Sequence, residues 1–181
     1  MKNNHDCEQP EMLTGQTCPI CGKDTLTLME AQREIPYFGI VYLFSMDCAN
    51  CHYHKADVES AENKGPIRYS IEVSSEDDLS IRIVRSSNAT IKIPNMISIE
   101  PGTAANGYVT NVEGVLKRIK HQIEVARDDA EEKDQKTKAK NMLKKIQKVM
   151  WGEDKLKIII EDPTGNSAII SDKAEIKKLK A

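Results

Sequence analysis

The chain has 181 residues, of which 39% are hydrophobic and 30% are charged, and its formal net charge at pH 7 is -2. This length can bury a sizeable core, so we expect one domain plus a small module, or two closely packed modules. The near-zero net charge argues against a generally cationic nucleic-acid binder, although a local basic face stays possible. No stretch approaches the roughly 20 apolar residues of a membrane span, and the polar start lacks the apolar core of a signal peptide, so we expect a cytoplasmic protein.

Residues 1–16 are predicted to be a flexible leader, because the segment is polar and shows no periodic pattern. Its reactive groups are His5 and Cys7. A second metal site built from this pair would need further ligands that we do not find in the sequence.

Two C-x-x-C knuckles follow, Cys18-Pro19-Ile20-Cys21 and Cys48-Ala49-Asn50-Cys51. Four thiolates at this spacing form a tetrahedral shell around one zinc ion when the segment between them folds back as a hairpin. A disulfide, unliganded thiols, or replacement of one cysteine by His52 or His54 are the alternatives. Paired knuckles are much more specific than a lone C-x-x-C, and they predict a structural zinc ion held by Cys18, Cys21, Cys48 and Cys51 in a zinc ribbon over 17–62.

Two strand-like runs within 25–46 connect the knuckles. The turn between them carries Ile35, Pro36, Tyr37 and Phe38, which are apolar residues at what should be an exposed hairpin end. Such a cluster indicates either a partner-binding surface or a small core of the ribbon itself, and the sequence does not decide between them.

Residues 63–172 are predicted to form a β domain, because apolar residues alternate with polar ones in several short runs separated by turn residues. The first such run places Ile67, Tyr69, Ile71 and Val73 on one face. Strands this short and closely spaced are typical of an antiparallel sandwich or a jelly-roll-like double-stranded β-helix.

A helical hairpin is predicted at about 111–151, inserted between the strands of this domain. Thr110 and Glu113 have the spacing of a capping box, with Thr110 as the N-cap of a first helix that runs to about Glu132. A lysine-rich second helix should end at Gly152. The continuous apolar run at 156–160 predicts a buried strand, and 173–181 is predicted to be a short basic helix or a frayed tail.

The sequence resembles the ZPR-one zinc-finger family, specifically its single-module archaeal type. Beyond the knuckles, the resemblance rests on five short motifs: Glu34-Ile35-Pro36-Tyr37-Phe38, Asp78-Leu79 with Val84-Arg85-Ser86, Ile93-Pro94, Ile99-Glu100-Pro101-Gly102, and Thr110 with Val112-Glu113-Gly114. His52 and Asn111 depart from the family pattern, which usually has glycine and often threonine at these places.

The resemblance implies a mainly β fold with an α insertion: an N-terminal zinc ribbon, then a double-stranded β-helix domain carrying an α-helical hairpin. It also implies a protein-interaction role, because two-module eukaryotic relatives bind translation elongation factor 1-alpha and assist its folding. This chain is long enough for one module.

Catalysis is not expected, because four cysteines fill the coordination shell of zinc and leave no position for a reacting water. Glu113 and His121 are explained by a helix cap and a solvated helix face. The function hypotheses are therefore a zinc-binding module that binds elongation factor 1-alpha and, as the alternative, a nucleic-acid-binding zinc ribbon. The alternative would use the lysines of the second helix, although these lack interleaved aromatic residues for base stacking.

Overall fold

The computed structural model describes residues 10–36, 38–62 and 64–179. Within them lie three sheets, in which every strand pair is antiparallel, two α-helices and one short 3-10 helix, Asp77–Ser80. None of these sheets closes on itself as a barrel. The predicted fold class, mainly β with an α insertion, is confirmed.

The N-terminal sheet is the ribbon, with strand order β1-β2-β3-β4. Its strands are β1 (Glu11–Gln16), β2 (Leu26–Ile35), β3 (Gly39–Cys48) and β4 (His54–Ser60). Strands β2 and β3 form one long hairpin, paired from Leu26 opposite Cys48 to Ile35 opposite Gly39. The metal ligands therefore lie at one end of this hairpin, and its turn lies at the other.

The strands that follow the ribbon form the other two sheets, and we call this part of the chain the β domain. The five-stranded sheet has the order β12-β5-β10-β7-β8 and the three-stranded sheet the order β11-β6-β9. Their strands are β5 (Ile67–Val73), β6 (Arg82–Arg85), β7 (Thr90–Ile93), β8 (Ile97–Ile99), β9 (Tyr108–Asn111), β10 (Leu156–Asp162), β11 (Ala168–Ile170) and β12 (Glu175–Lys178). The apolar run in β10 is explained by its place between β5 and β7, where Ile158, Ile159 and Ile160 are all buried.

Two helices, α1 (Val112–Asp129) and α2 (Lys133–Met150), form the predicted hairpin between β9 and β10. They pack through the apolar stripe that the sequence predicted, with Ile119 and Ile146 fully buried. The predicted N-cap is wrong by one residue: Asn111 caps α1 by accepting a hydrogen bond from the Gly114 amide at 2.8 Å, and Thr110 lies in β9. Helix α1 also ends at Asp129, three residues before the predicted Glu132.

One hydrophobic core spans the β domain, the helical hairpin and the turn end of the ribbon. Val41 and Val58 of the ribbon belong to the same buried cluster as Ile158 and Leu116. Backbone contacts reinforce this junction, because the Gly107 amide donates to the Ala56 carbonyl at 2.9 Å and the Ala56 amide donates to Asn106 Oδ1 at 2.9 Å. The turn end of the ribbon is therefore fixed to the β domain.

The two ends of the chain differ from the sequence expectation. Residues 11–16 of the predicted leader form strand β1, which pairs with β2, and residues 175–178 of the predicted tail form β12, which pairs with β5. Both strands have exposed side chains, so backbone pairing and not burial creates them. The division into a ribbon at 17–62, a β domain at 63–172 and a tail at 173–181 stays a prediction.

Candidate metal centre

The two knuckles present four sulfur atoms to one point. Cys18 and Cys21 lie in the turn between β1 and β2, while Cys48 ends β3 and Cys51 follows it. Each knuckle closes through the same hydrogen bond: the Gly22 amide donates to the Cys18 carbonyl at 2.9 Å, and the His52 amide donates to the Cys48 carbonyl at 3.0 Å. Gly22 (φ 68°) and His52 (φ 57°) have the left-handed backbone expected after the second cysteine of each knuckle.

The spacing of the sulfurs fits a tetrahedral metal site. The Sγ atoms of Cys18 and Cys51 lie 3.7 Å apart, as do those of Cys21 and Cys48, and all four lie within 4.8 Å of one another. A tetrahedron with zinc–sulfur bonds of about 2.3 Å has edges of about 3.8 Å. The four cysteines are thus positioned to bind one metal ion, and an all-thiolate set is that of a structural zinc site.

Hydrogen bonds to the sulfurs favour the thiolate form at part of the site. The Thr25 hydroxyl, 3.3 Å from Cys48 Sγ, and then the backbone amides of Cys51 and Asn50 lower the pKa of Cys48 to about 6. The backbone amide of Lys23 lowers the pKa of Cys21. At Cys51 the Tyr53 amide also acts to lower the pKa, but burial and the neighbouring sulfurs outweigh it and raise the pKa to about 12. A set of four thiolates therefore needs a bound cation to offset the repulsion among its sulfurs.

The surroundings of the site form a small core of their own. Leu26 is buried with Cys18 and Cys48, and Leu28 and Tyr53 pack against them. This cluster is separate from the main core. Lys23, just after the first knuckle, donates from Nζ to Asn50 Oδ1 of the second knuckle at 2.9 Å and so connects the two. Loss of the metal should therefore destabilise this end of the ribbon before the rest of the fold.

The structure brings together all four predicted ligands and neither of the alternative histidines. His54 is exposed, with its Nδ1 2.6 Å from Asp47 Oδ1, and among the described residues the metal-ligating cluster contains cysteines alone. Sequence reasoning missed Thr25, whose hydroxyl contacts Cys48; a threonine four residues after Cys21 is the signal that could have identified it. His5 and Cys7 lie outside the described residues.

The predicted partner-binding residues have different environments. Ile35 is 3% exposed and Phe38 is 6% exposed, and both belong to the main core, while Pro36 is exposed. The Lys64 ammonium lies 3.8 Å from the centre of the Phe38 ring and covers it further. The sequence left open whether this cluster binds a partner or forms a core of the ribbon. Ile35 and Phe38 are buried in a core that the ribbon shares with the β domain, so the predicted partner contact by these two residues is wrong. Tyr37 lies outside the described residues, and partner contact at Pro36 and Tyr37 stays a prediction.

Among the described residues, no helix is both long and apolar enough to cross a membrane.

Comparison with known families matches nearly all of the described chain. Residues 11–65 match the ZPR1 zinc-finger domain, and residues 77–180 match the ZPR1 jelly-roll domain. The first match starts at β1, which is further support for that strand as part of the ribbon. The second agrees with the jelly-roll-like architecture predicted from the alternating short strands.

Similar proteins come from archaea and eukaryotes. The chain is 41% identical to a ZPR1-like protein of Methanocaldococcus jannaschii over 87% of this chain and 81% of that protein. It is 42% identical to a ZPR1-like protein of Pyrococcus horikoshii over 90% of this chain and 75% of that protein. The zinc finger chaperone zpr1 of Schizosaccharomyces pombe is 28% identical over 84% of this chain, which spans 33% of that longer protein.

Proposed function

The chain belongs to the ZPR1 zinc-finger family, and from that premise we propose that it binds translation elongation factor 1-alpha and assists its folding. The name of the fission-yeast relative, a zinc finger chaperone, supports a protein-interaction role. The observation that carries the proposal is a strip of partly exposed apolar side chains on the sheet of the ribbon. Because residues 35 and 38 are buried, we place the docking surface on this neighbouring strand.

The strip is formed by alternate residues of β3, and we call Ile40, Tyr42, Phe44 and Met46 the β3 stripe. Ile40 is 40% exposed and Met46 is 36% exposed. The rings of Tyr42 and Phe44 stack with their centroids 6.5 Å apart. On the opposite face of the same strand Val41 is fully buried. The stripe therefore keeps apolar side chains at the surface, as binding surfaces do.

Acidic side chains border the β3 stripe on both sides. Glu30 and Glu34 of β2 lie opposite Phe44 and Ile40, and Glu59 of β4 lies opposite Tyr42. An apolar centre with a negative rim fits a partner surface that is apolar at its centre and basic around it. A metal bound by the four cysteines would fix the knuckle end of β3, and the main core fixes its turn end. Both ends of the strand that carries the β3 stripe are therefore held in place.

The proposal is tested by measuring the affinity of the zinc-loaded protein for purified elongation factor 1-alpha. We expect Ile40→Glu to weaken binding by about tenfold or more, because a charge in the centre of an apolar contact is poorly tolerated. Ile176→Glu is the matched control, since Ile176 is 60% exposed on β12, outside the ribbon. Both variants should keep their zinc and their melting temperature.

Two results would overturn the proposal. If folded, zinc-loaded protein fails to bind the factor with GTP, with GDP and as a nascent chain, the partner is wrong. If binding occurs but Ile40→Glu and Ile176→Glu bind equally well, the β3 stripe is not the docking surface.

We further propose that the chain acts in the cytoplasm and is not an enzyme. A closed shell of four cysteines leaves the metal no position for substrate or water, so the zinc acts by holding the ribbon. The family relatives are named zinc finger proteins or a chaperone, which supports the same role.

The alternative is nucleic-acid binding through α2, whose lysines 136, 138, 140, 144, 145 and 148 are all exposed. Phosphate contacts would make the affinity fall steeply as salt rises. No detectable binding of transfer or ribosomal RNA at low salt would eliminate this alternative.

A further inference from the structure

A cavity of about 340 Å³ lies between α1 and the sheets of the β domain, away from the metal centre and the β3 stripe. Two arginines face it from different elements, Arg85 at the end of β6 and Arg118 in the second turn of α1. Both guanidinium groups lie against the ring of Tyr108, at 5.5 Å and 4.3 Å from its centre. The cavity thus collects two positive charges around one aromatic ring.

Arg85 is a buried charge without a counter-ion. It is 6% exposed, and its terminal nitrogens donate to the carbonyls of Asn106 at 2.9 Å and Ala89 at 2.8 Å. Its Nε is buried and has no hydrogen-bond acceptor within the described residues. A buried cation without a carboxylate partner is costly, and an anion bound in the cavity would offset that cost.

Arg118 also lacks a carboxylate partner. In the part of the chain that the structure describes, none of the ion pairs within 4.0 Å involves Arg118 or Arg85. Tyr108 supplies no counter-charge, because burial raises its pKa above the ordinary value and outweighs the opposite effect of the two arginines. Arg118 is exposed, so its planar fork of donors is accessible.

The remaining walls define the ligand class. Glu100 and His121 line the same cavity, and with histidine counted as neutral the formal charges of Arg85, Arg118 and Glu100 leave one positive charge in excess. This excess matches a singly charged anion better than a doubly charged phosphate. Apolar side chains make up much of the wall: Ile91, Ile99, Val115 and Ile119. We propose that this cavity binds a carboxylate carried on an apolar group.

A chemical-shift titration of zinc-loaded, ¹⁵N-labelled full-length protein tests this proposal, with hexanoate, acetate and inorganic phosphate as probes. Hexanoate should shift the amides around Tyr108 and Arg118 and bind about tenfold or more tightly than acetate, because each fully buried methylene adds about fourfold. Phosphate should bind more weakly than hexanoate. Arg118→Gln should weaken hexanoate binding by about tenfold or more, since a charge-assisted hydrogen bond is lost.

Arg127→Gln is the matched control, because Arg127 lies on the same helix near its other end and pairs with Asp128. It should leave hexanoate binding unchanged. N-acetyl-leucyl-leucine, with a free or an amidated C-terminus, distinguishes the two sources of such a carboxylate. If the free-acid peptide binds more tightly than hexanoate, the ligand is the C-terminus of a peptide chain. If hexanoate binds more tightly than the free-acid peptide, the ligand is a free carboxylic acid. Absence of hexanoate binding to the wild type, equal binding by Arg118→Gln, or equal binding of acetate, phosphate and hexanoate would overturn the proposal.

Discussion

Gly107 lies at a close approach between the ribbon and the β domain, and Gly107→Ala should loosen that junction. An added Cβ would lie 2.5 Å from Asp57 Oδ1, 2.8 Å from the Val58 amide nitrogen and 3.0 Å from Asp57 Cα. Two of these three atoms belong to the backbone of β4, so the clash cannot be relieved by rotating a flexible side chain. The loop that carries Gly107 must instead move away from β4.

The cost follows from the contacts that this movement breaks. The hydrogen bonds from the Gly107 amide to the Ala56 carbonyl and from the Ala56 amide to Asn106 Oδ1 would both lengthen. At about 1 kcal/mol for each hydrogen bond, and about 1 to 3 kcal/mol for overpacking, Gly107→Ala should lower the free energy of unfolding by about 3 to 5 kcal/mol. For a chain of this size that corresponds to a decrease in melting temperature of about 6 to 20 °C.

Thermal unfolding followed by circular dichroism measures the effect, and Gly102→Ala is the matched control. A Cβ at Gly102 meets nothing within 4 Å, so this variant should stay within about 0.5 kcal/mol of the wild type. Gly107→Ala should keep its zinc, because the knuckle cluster is separate from the main core. Equal melting temperatures for the two variants would refute the close junction between ribbon and β domain.

Three further predictions concern the metal centre and one buried carboxylate. Cys48→Ser should lose its zinc and unfold the knuckle end of the ribbon, since structural zinc contributes about 10 kcal/mol or more, while the helical signal of α1 and α2 persists; full zinc content with an unchanged melting temperature would contradict this. Thr25→Val should weaken zinc binding by about tenfold in competition with a chelator, because the hydroxyl that contacts Cys48 is removed; unchanged affinity would show that this contact does not matter. At Asp78, burial opposes ionisation, but the Lys173 ammonium, at 2.6 Å, and the Ser74 amide outweigh it and lower the pKa to about 2. The charged form therefore contributes about 2 kcal/mol to the free energy of unfolding. This contribution is present above pH ~4 and is lost as the pH falls towards 2. The difference in urea midpoint between the wild type and Asp78→Asn should therefore be large at pH 6 and small at pH 2, and a constant difference would exclude this assignment.

The metal site was predictable because its information is local. Each knuckle is four residues long, and the left-handed backbone at Gly22 and His52 follows from the turn that brings two sulfurs together. The buried strand β10 was predictable for a similar reason, since a continuous apolar run indicates burial on both faces. The helix stripe of α1 also follows from its own periodicity.

The features that sequence reasoning missed depend on contacts between distant residues. Strands β1 and β12 are held by backbone hydrogen bonds to β2 and β5, and their side chains are exposed. Their sequences therefore lack the alternating apolar pattern by which a strand is recognised. Ile35 and Phe38 have the composition of an exposed patch but are covered by the β domain. Arg85 and Arg118 likewise lie far apart in the sequence, and only the packing of β6 against α1 brings their charges to one cavity.

Helix capping lies between these two cases. The sequence offers Thr110 and Asn111 as adjacent capping residues, and either side chain can accept a bond from the first turn. Both residues lie in β9, and Asn111 is the one whose side chain accepts a hydrogen bond from the Gly114 amide. A Cβ at residue 114 would lie 2.1 Å from the Thr110 hydroxyl oxygen. Gly114 is thus required by the junction between strand and helix.

X-ray absorption at the zinc edge tests the central claim of a closed, structural zinc site most directly. For zinc-loaded protein we predict one zinc ion per chain with four sulfur neighbours at about 2.3 Å and no oxygen or nitrogen ligand. That result would agree with a shell made by Cys18, Cys21, Cys48 and Cys51. A nitrogen neighbour would bring His52 or His54 into the shell and contradict the all-cysteine ligand set. An oxygen neighbour from bound water would contradict the closed site and with it the structural role of the metal.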